Sequence, residues 1–373
     1  MRTSTNFGGT HTSDISESVL FAIEAEKLGV DTIWCAESWG MDAVSPLAFL
    51  AARTTRVQLG TGIMQVSARR PATIAMTALT LAALSDHRFL LGLGVSGPQV
   101  VEGLHGVRFD KPLARLRETI EIVQMAFRGE TIRYHGQVYE LPLPTAEAKA
   151  LRLNLEPDAG IPIYLGTLSP RSLRLTGELA AGWLGTCFVP SGASRVLADI
   201  EAGAAAAGRR LADIDIHVGG TVQFGADLGE LLEPRKRRLA FSMGAMGSPA
   251  HNFYNQAYQR AGYEEIAKEV QRLWRNGAHA DAVALVPDEL VLETSFLGTP
   301  QMVQDQFRAY RDAGVTTLRL YPEGRSLQER LDTLGQALDL VRGLDGEPVR
   351  ADAAVGAQDA AGRGASKTGR GAP

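Results

Sequence analysis

Short apolar runs alternate with amphipathic stretches along most of the chain, the sequence form of repeated βα units around a parallel sheet. The first unit shows the pattern plainly. Ser13 or Asp14 can cap a helix, Ile15, Val19, Ile23 and Leu28 recur at helical spacing, and Gly29 supplies a left-handed stop. A strand, Asp31-Thr-Ile-Trp-Cys35, follows at once. Further strands are predicted at Arg2–Phe7, Val57–Met64, Phe89–Val95, Ile161–Gly166, Trp183–Phe188, Ile214–Gln223 and Thr316–Tyr321, which with Thr32–Cys35 makes eight. Helices predicted between them include Pro71–Leu84, with proline in its first turn, and Lys111–Phe127, with Leu113, Leu116, Ile120 and Val123 on one face.

Eight strands alternating with helices predict an α/β fold closed as a (β/α)8 TIM barrel, because an open doubly wound sheet usually has fewer strands and leaves two edges to cover. Two segments exceed the minimal pattern. Thr131–Leu141, with Gly136 between two β-rich runs, predicts a small hairpin, and Asp227–Asn276 predicts a long helical insertion over the active face. From Gly346 to Pro373 there is no Leu, Ile, Phe, Tyr or Trp, so the expected division is a barrel domain over 1–345 and a disordered Ala/Gly-rich tail over 346–373.

Composition adds exclusions. With 45% hydrophobic and 21% charged residues the chain can bury a large core, and a net charge of -4 gives no electrostatic reason to expect nucleic acid or an anionic membrane as partner. No apolar run is long enough to span a bilayer, and Cys35 and Cys187 are the only cysteines, which together predict a cytoplasmic protein. The one dense basic run, Arg235-Lys-Arg-Arg238, reads as a solvated helix face or as an anion-facing part of a lid.

Candidate chemistry gathers at predicted strand ends. Gly92-Leu-Gly-Val-Ser-Gly97 satisfies G-x-G-x-x-G, yet it begins inside the fourth strand and no acidic strand end follows at about 20 residues, so it is not a dinucleotide fingerprint. Its glycines still let a ligand approach the backbone, which makes Ser96 and Gly97 candidates. Leu-Gly-Thr recurs three times; in Leu165-Gly166-Thr167 and Leu184-Gly185-Thr186 it ends a strand, where amides and hydroxyls can hold a phosphate or simply make a turn and a cap. Glu37 and Ser38 end the second strand. That carboxylate can move a proton, cap a helix or form a rim ion pair. The seven histidines show no metal-ligand spacing, so no metal is expected, and without a G-x-S-x-G elbow nucleophilic catalysis has no support either.

Taken in order, Trp34-Cys-Ala-Glu-Ser38, Arg56-Val-Gln-Leu-Gly-Thr-Gly-Ile-Met64, Ala68-Arg-Arg-Pro71, Leu84 to Gly97 and Ile161-Pro-Ile-Tyr-Leu-Gly166 resemble the luciferase-like monooxygenase superfamily. More narrowly, the stretch Gly94–Gly106 is similar to members that use the 8-hydroxy-5-deazaflavin coenzyme F420. The resemblance runs from about Thr3 to Leu344 and implies a barrel that binds F420, or alternatively FMN, at its C-terminal mouth. It implies that Glu37 and Ser38 lie beside the ring and that Gly62–Ile63 forms a non-proline cis peptide in a bulge behind it. It implies further that Ser96, Gly97, Pro98, Gln99 and Val100, with Gly166, Thr167, Gly185 and Thr186, hold the ribityl chain and phosphate. Several deazaflavin-dependent relatives carry Asp-His where this chain has Glu37-Ser38, so the proton-handling role of that histidine does not transfer and Glu37 is the substitute. The implied activity is hydride transfer between F420 and a small organic substrate by a homodimer. The alternatives are an FMN-dependent two-component monooxygenase and a flavin-binding protein without turnover.

Overall fold

The computed structural model describes residues 1–8, 14–37, 39–247 and 252–344. Ser13, Ser38 and the expected tail at 346–373 lie outside the described residues. The barrel strands are β1 (Arg2–Asn6), β2 (Thr32–Cys35), β3 (Gln58–Thr61), β4 (Phe89–Gly94), β5 (Ile163–Gly166), β6 (Gly182–Leu184), β7 (Asp215–Phe224) and β8 (Thr317–Pro322). Each pairs in parallel with the next, β7 pairs with β8, and β8 closes on β1 with Ser4 opposite Arg319. These are the eight strands the apolar runs predict.

Local chemistry sets the boundaries. Asp14 Oδ1 accepts from Ser16 N at 2.8 Å to start the helix Ile15–Leu28, and Gly29 ends it at φ 107°. The helix expected from Lys111 begins instead at Pro112, because a residue before proline is sterically kept out of the α region; Lys111 sits at φ 43°. The run Val57–Met64, expected as one strand, is interrupted. The Thr61 hydroxyl donates to Gly92 O (2.8 Å) and accepts from Gly92 N (2.9 Å), taking the place of a ladder bond, and pairing with β4 resumes only at Met64 opposite Leu93. One extra residue is thereby accommodated as a bulge. Trp183–Phe188 likewise shortens to β6, and Phe296–Gly298 is an additional short strand, unforeseen from the pattern, that pairs with the upper end of β7 outside the ring. The small hairpin exists as Tyr134–His135 paired with Glu140–Leu141.

The core is divided by the sheet. Outward-facing Ile33, Leu59, Leu91 and Leu165 pack under one group of helices and Trp183, Ile216, Leu318 and Leu320 under the other, while Trp34, Leu90, Tyr164 and Leu184 fill the barrel interior. The insertion builds its own cluster from Leu231, Met243, Tyr258, Val270 and Leu290. No described helix is long and apolar enough to cross a membrane.

The β3–β4 junction yields a stability test. A Cβ on Gly92 would lie 1.8 Å from the Thr61 backbone oxygen, which has no flexible end to move aside, whereas one on Gly103 meets nothing within 4 Å. Gly92→Ala is therefore expected to lower stability by about 3 kcal/mol or more and Gly103→Ala to be neutral or stabilising. Thermal melts of the two variants check it, and equal melting temperatures would refute the close packing.

Candidate active site

Beneath the C-terminal mouth the barrel interior is packed around one large side chain. Trp34 is fully buried, its ring edge-on to Tyr164 (5.2 Å between centroids) and to His217 (5.2 Å), and its Nε1 donates to His217 Nε2 at 3.1 Å. That bond leaves Nε2 without a proton of its own. Deeper still, Asp215 accepts from Tyr164 OH (3.0 Å) and Thr317 Oγ1 (2.7 Å) and pairs with Arg2 (3.0 Å). Burial would raise the Asp215 carboxyl, but His217, Thr316 and Arg2 outweigh it and hold it well below the usual carboxylate range. Burial pushes His217 down to about 4 against the pull of Asp215. The network is a neutral histidine wedged between an indole and a carboxylate, a support for Trp34.

Above Trp34 the strand ends converge. The Gly62–Ile63 peptide is cis, as expected, and the Ile63 side chain lies across the ends of β4 and β5: a Cβ on Gly94 or Gly166 would approach it to 2.9 Å. The result is an apolar platform at the mouth. Glu37 clamps it from the end of β2. Its backbone N–H donates to Ile63 O (3.3 Å), its Oε2 accepts from Gln65 N (3.2 Å) and pairs with Arg69 Nη1 (2.5 Å), and its Oε1 accepts from Ala43 N (3.4 Å). Of the alternatives open from sequence, the geometry displays the ion pair; the first amides of the helix Val44–Ala51 are held by Asp42 Oδ1 instead.

Ser96, directly after β4, stands at φ 61°, a left-handed conformation that non-glycine residues adopt rarely and mainly where a site uses it. Gly97, Pro98, Gln99 and Val100 follow as the cap and first turn of the short helix Pro98–Gly103. Gly166 ends β5 and supports Ile63. The Thr167 hydroxyl turns away into a 2.7 Å bond with Thr176, and Gly185 faces Trp183 and Val218 on the outer side of β6. The backbone is engaged there too, since Thr167 O accepts from Trp183 Nε1 (2.9 Å) and Gly185 N donates to His217 O (3.0 Å). Thr186 Oγ1 lies 3.4 Å from Cys187 Sγ, and burial pushes that thiol above its ordinary value, which disfavours a nucleophilic thiolate. Glu37, Gly62–Ile63, Ser96–Val100, Gly166–Thr167 and Gly185–Thr186 thus occupy the C-terminal ends of five successive strands.

Residues that sequence reasoning missed join them. Arg260, in the insertion, donates to Leu168 O at 2.6 Å and ties the roof to the loop after β5. Of the basic run, Arg235 is buried against Glu323 (3.0 Å), Lys236 pairs with Asp288 and Arg237 with Glu233, while Arg238 lines an open groove beside β7 and β8. No sequence pattern distinguishes these roles. Among the described residues no group of three or more His, Cys, Asp or Glu side chains could hold a metal ion.

Ile63 set among the loops at the C-terminal strand ends, with Ser96 in a left-handed conformation beside it, is the arrangement of a barrel enzyme, whose chemistry sits at that end. The chain belongs to the luciferase-like monooxygenase family, whose family model matches residues 2–317. It is 41% identical over 302 residues, 79% of this chain and 87% of the relative, to a protein of Mycobacterium tuberculosis named as a coenzyme F420-dependent oxidoreductase. It is 26% identical, over 78% of this chain and 85% of the relative, to the 5,10-methylenetetrahydromethanopterin reductase of Archaeoglobus fulgidus. The fold matches that of the coenzyme F420-dependent tetrahydromethanopterin reductase from Methanopyrus kandleri with a TM-score of 0.72 and 24% identity, over 90% of this chain and 97% of that one.

The neutral His217 sets a pH dependence. Its folded value of about 4 lies below the ordinary 6.5, so the unfolded chain holds the extra proton between those values. The associated stability is complete above pH 6.5 and falls as the pH drops toward 4, by at most about 1.4 kcal/mol per pH unit. His217→Gln is expected to flatten the fall in melting temperature between pH 7 and about 4.5. An unchanged slope would assign the acid sensitivity to other groups.

Proposed function

We propose that this protein is an F420-dependent oxidoreductase that moves a hydride between the deazaflavin and a small organic substrate at the barrel mouth. The observation that carries the reading is the Ile63 side chain seated on Gly94 and Gly166, an apolar floor that fits a flat ring where any larger side chain would crowd it. The 41% identity to the mycobacterial protein supports the choice of F420 over FMN. When bound, the deazaflavin accepts or releases a hydride at its C5 carbon, and the protein's part is orientation and water exclusion. Ile63 would lie under the ring, the backbone N–H groups of Ser96, Gly97 and Gln99, with those of Thr167 and Thr186, would face the chain and phosphate, and Arg260 brings a cation to the loop after β5. Glu37 holds the Ile63 bulge through Gln65 and Arg69, and by the resemblance it is the carboxylate that would handle a proton beside the ring, with Ser38 next to it in sequence to orient the ring.

Two titrations test this. Oxidised F420 should bind more tightly than FMN, and turnover should proceed without oxygen consumption; tight FMN binding with oxygen-dependent product and no F420 affinity would reject the reading. Glu37→Gln separates the roles of that carboxylate, since loss of the clamp weakens F420 binding and turnover together, whereas loss of a proton carrier lowers kcat alone.

The assembly we propose is a homodimer. Leu20, Phe49 and Met76 stand 41 to 50% exposed on three successive outer helices, an apolar face that a second copy would cover. Light scattering should give twice the chain mass, and Phe49→Lys should halve it; a monomer mass for the unaltered protein would exclude the dimer.

A further inference from the structure

Arg319 carries an observation that the platform and its loops do not explain. It points into the barrel from β8, 6% exposed, beside Ser4 on β1 and Gly219 on β7 in register, and its guanidinium lies 5.8 Å from the Trp34 ring. A guanidinium remains charged in any protein environment. Yet among the described residues no carboxylate pairs with it, His217 beside it is held neutral, and Asp215 is already engaged by Arg2, Tyr164 and Thr317. Its Nη1 donates to Tyr321 OH at 3.2 Å, two residues nearer the mouth. Among the described residues, Nε and Nη2 are both buried with no protein acceptor.

Those two nitrogens form one edge of the guanidinium. Their N–H bonds run side by side in its plane, the fork that takes two oxygens of a carboxylate or an equivalent planar anion. The next inward position on β1 adds a complementary orphan, since Asn6 Oδ1 is also buried with no donor. A buried, unpaired cation is unfavourable for folding, and an arriving acceptor pair would relieve that cost.

We propose that Arg319 and Asn6 form a recognition subsite inside the barrel below Tyr321, taking a planar pair of acceptors, carboxylate or carbonyl, on the Nε/Nη2 edge and an adjacent N–H or O–H on Asn6. Two sources supply that chemistry: a substrate carboxylate with a neighbouring hydroxyl, or the pyrimidinedione edge of the deazaflavin. Only the second source rests on the function proposed above.

The test uses Arg319→Met, which removes the charge at similar volume, and Arg319→Lys, which keeps the charge and removes the fork. Oxidised F420 and sodium lactate are each titrated into the unaltered protein and both variants, lactate with and without F420 present. Both variants should weaken one ligand by about ten- to a hundredfold, and the ligand affected identifies the source. Arg319→Met should meanwhile melt at or above the temperature of the unaltered protein. Melting many degrees lower would make Arg319 a structural residue and overturn the proposal, as would unchanged affinity for both ligands. Absence of F420 binding to the unaltered protein would sink the oxidoreductase reading while the lactate titration without F420 still decides the subsite.

Discussion

Trp34 standing inside the barrel is the constraint from which the mouth follows. A closed ring of eight strands has room for few large inward side chains, and an indole at this height excludes side chains from its neighbours: a Cβ on Gly60 would fall 2.3 Å from the ring and one on Gly62 2.9 Å from Trp34 Cβ. Glycine at those positions leaves the end of β3 free to bulge, and the bulge delivers Ile63 across the ends of β4 and β5. The indole needs a partner for its N–H. His217 supplies it only while neutral, and Asp215 with its ring of hydroxyls keeps that histidine in place.

The clamp on the bulge links this interior to the rim. Glu37 bonds Ile63 through its backbone and Gln65 through both backbone and side chain, and Arg69 completes the pair from the segment leading into the helix Pro71–Leu84. Residues from two successive βα units thus hold the platform as one body. An ion pair this enclosed gains its worth from the geometry it fixes rather than from net stabilisation.

The strands and first helices were legible because burial on both faces turns parallel strands into apolar runs, and because Asp14, Gly29 and Pro71 are local stop and start signals. The resemblance to luciferase-like proteins brought Gly62–Ile63 and the loop residues. Arg319 was not legible: in Thr317-Leu-Arg-Leu-Tyr321 the alternation reads as a strand with one wet face, and only closure of the ring puts that face indoors. The interruption after Thr61 was hidden for a related reason, since a threonine that replaces a ladder bond looks in sequence like any β-branched strand residue. Arg260 acts from an insertion whose docking on Leu168 no local pattern encodes.

The closing seam, Arg2 against Thr317, joins residues at nearly opposite ends of the barrel sequence. During synthesis on the ribosome β1 emerges first and has its second neighbour last, so until β8 appears the nascent sheet exposes an open hydrogen-bonding edge. Contacts of such long sequence separation form slowly. The folding risk of this molecule therefore concentrates at the β1–β8 seam rather than at the β3–β4 junction that seats Ile63.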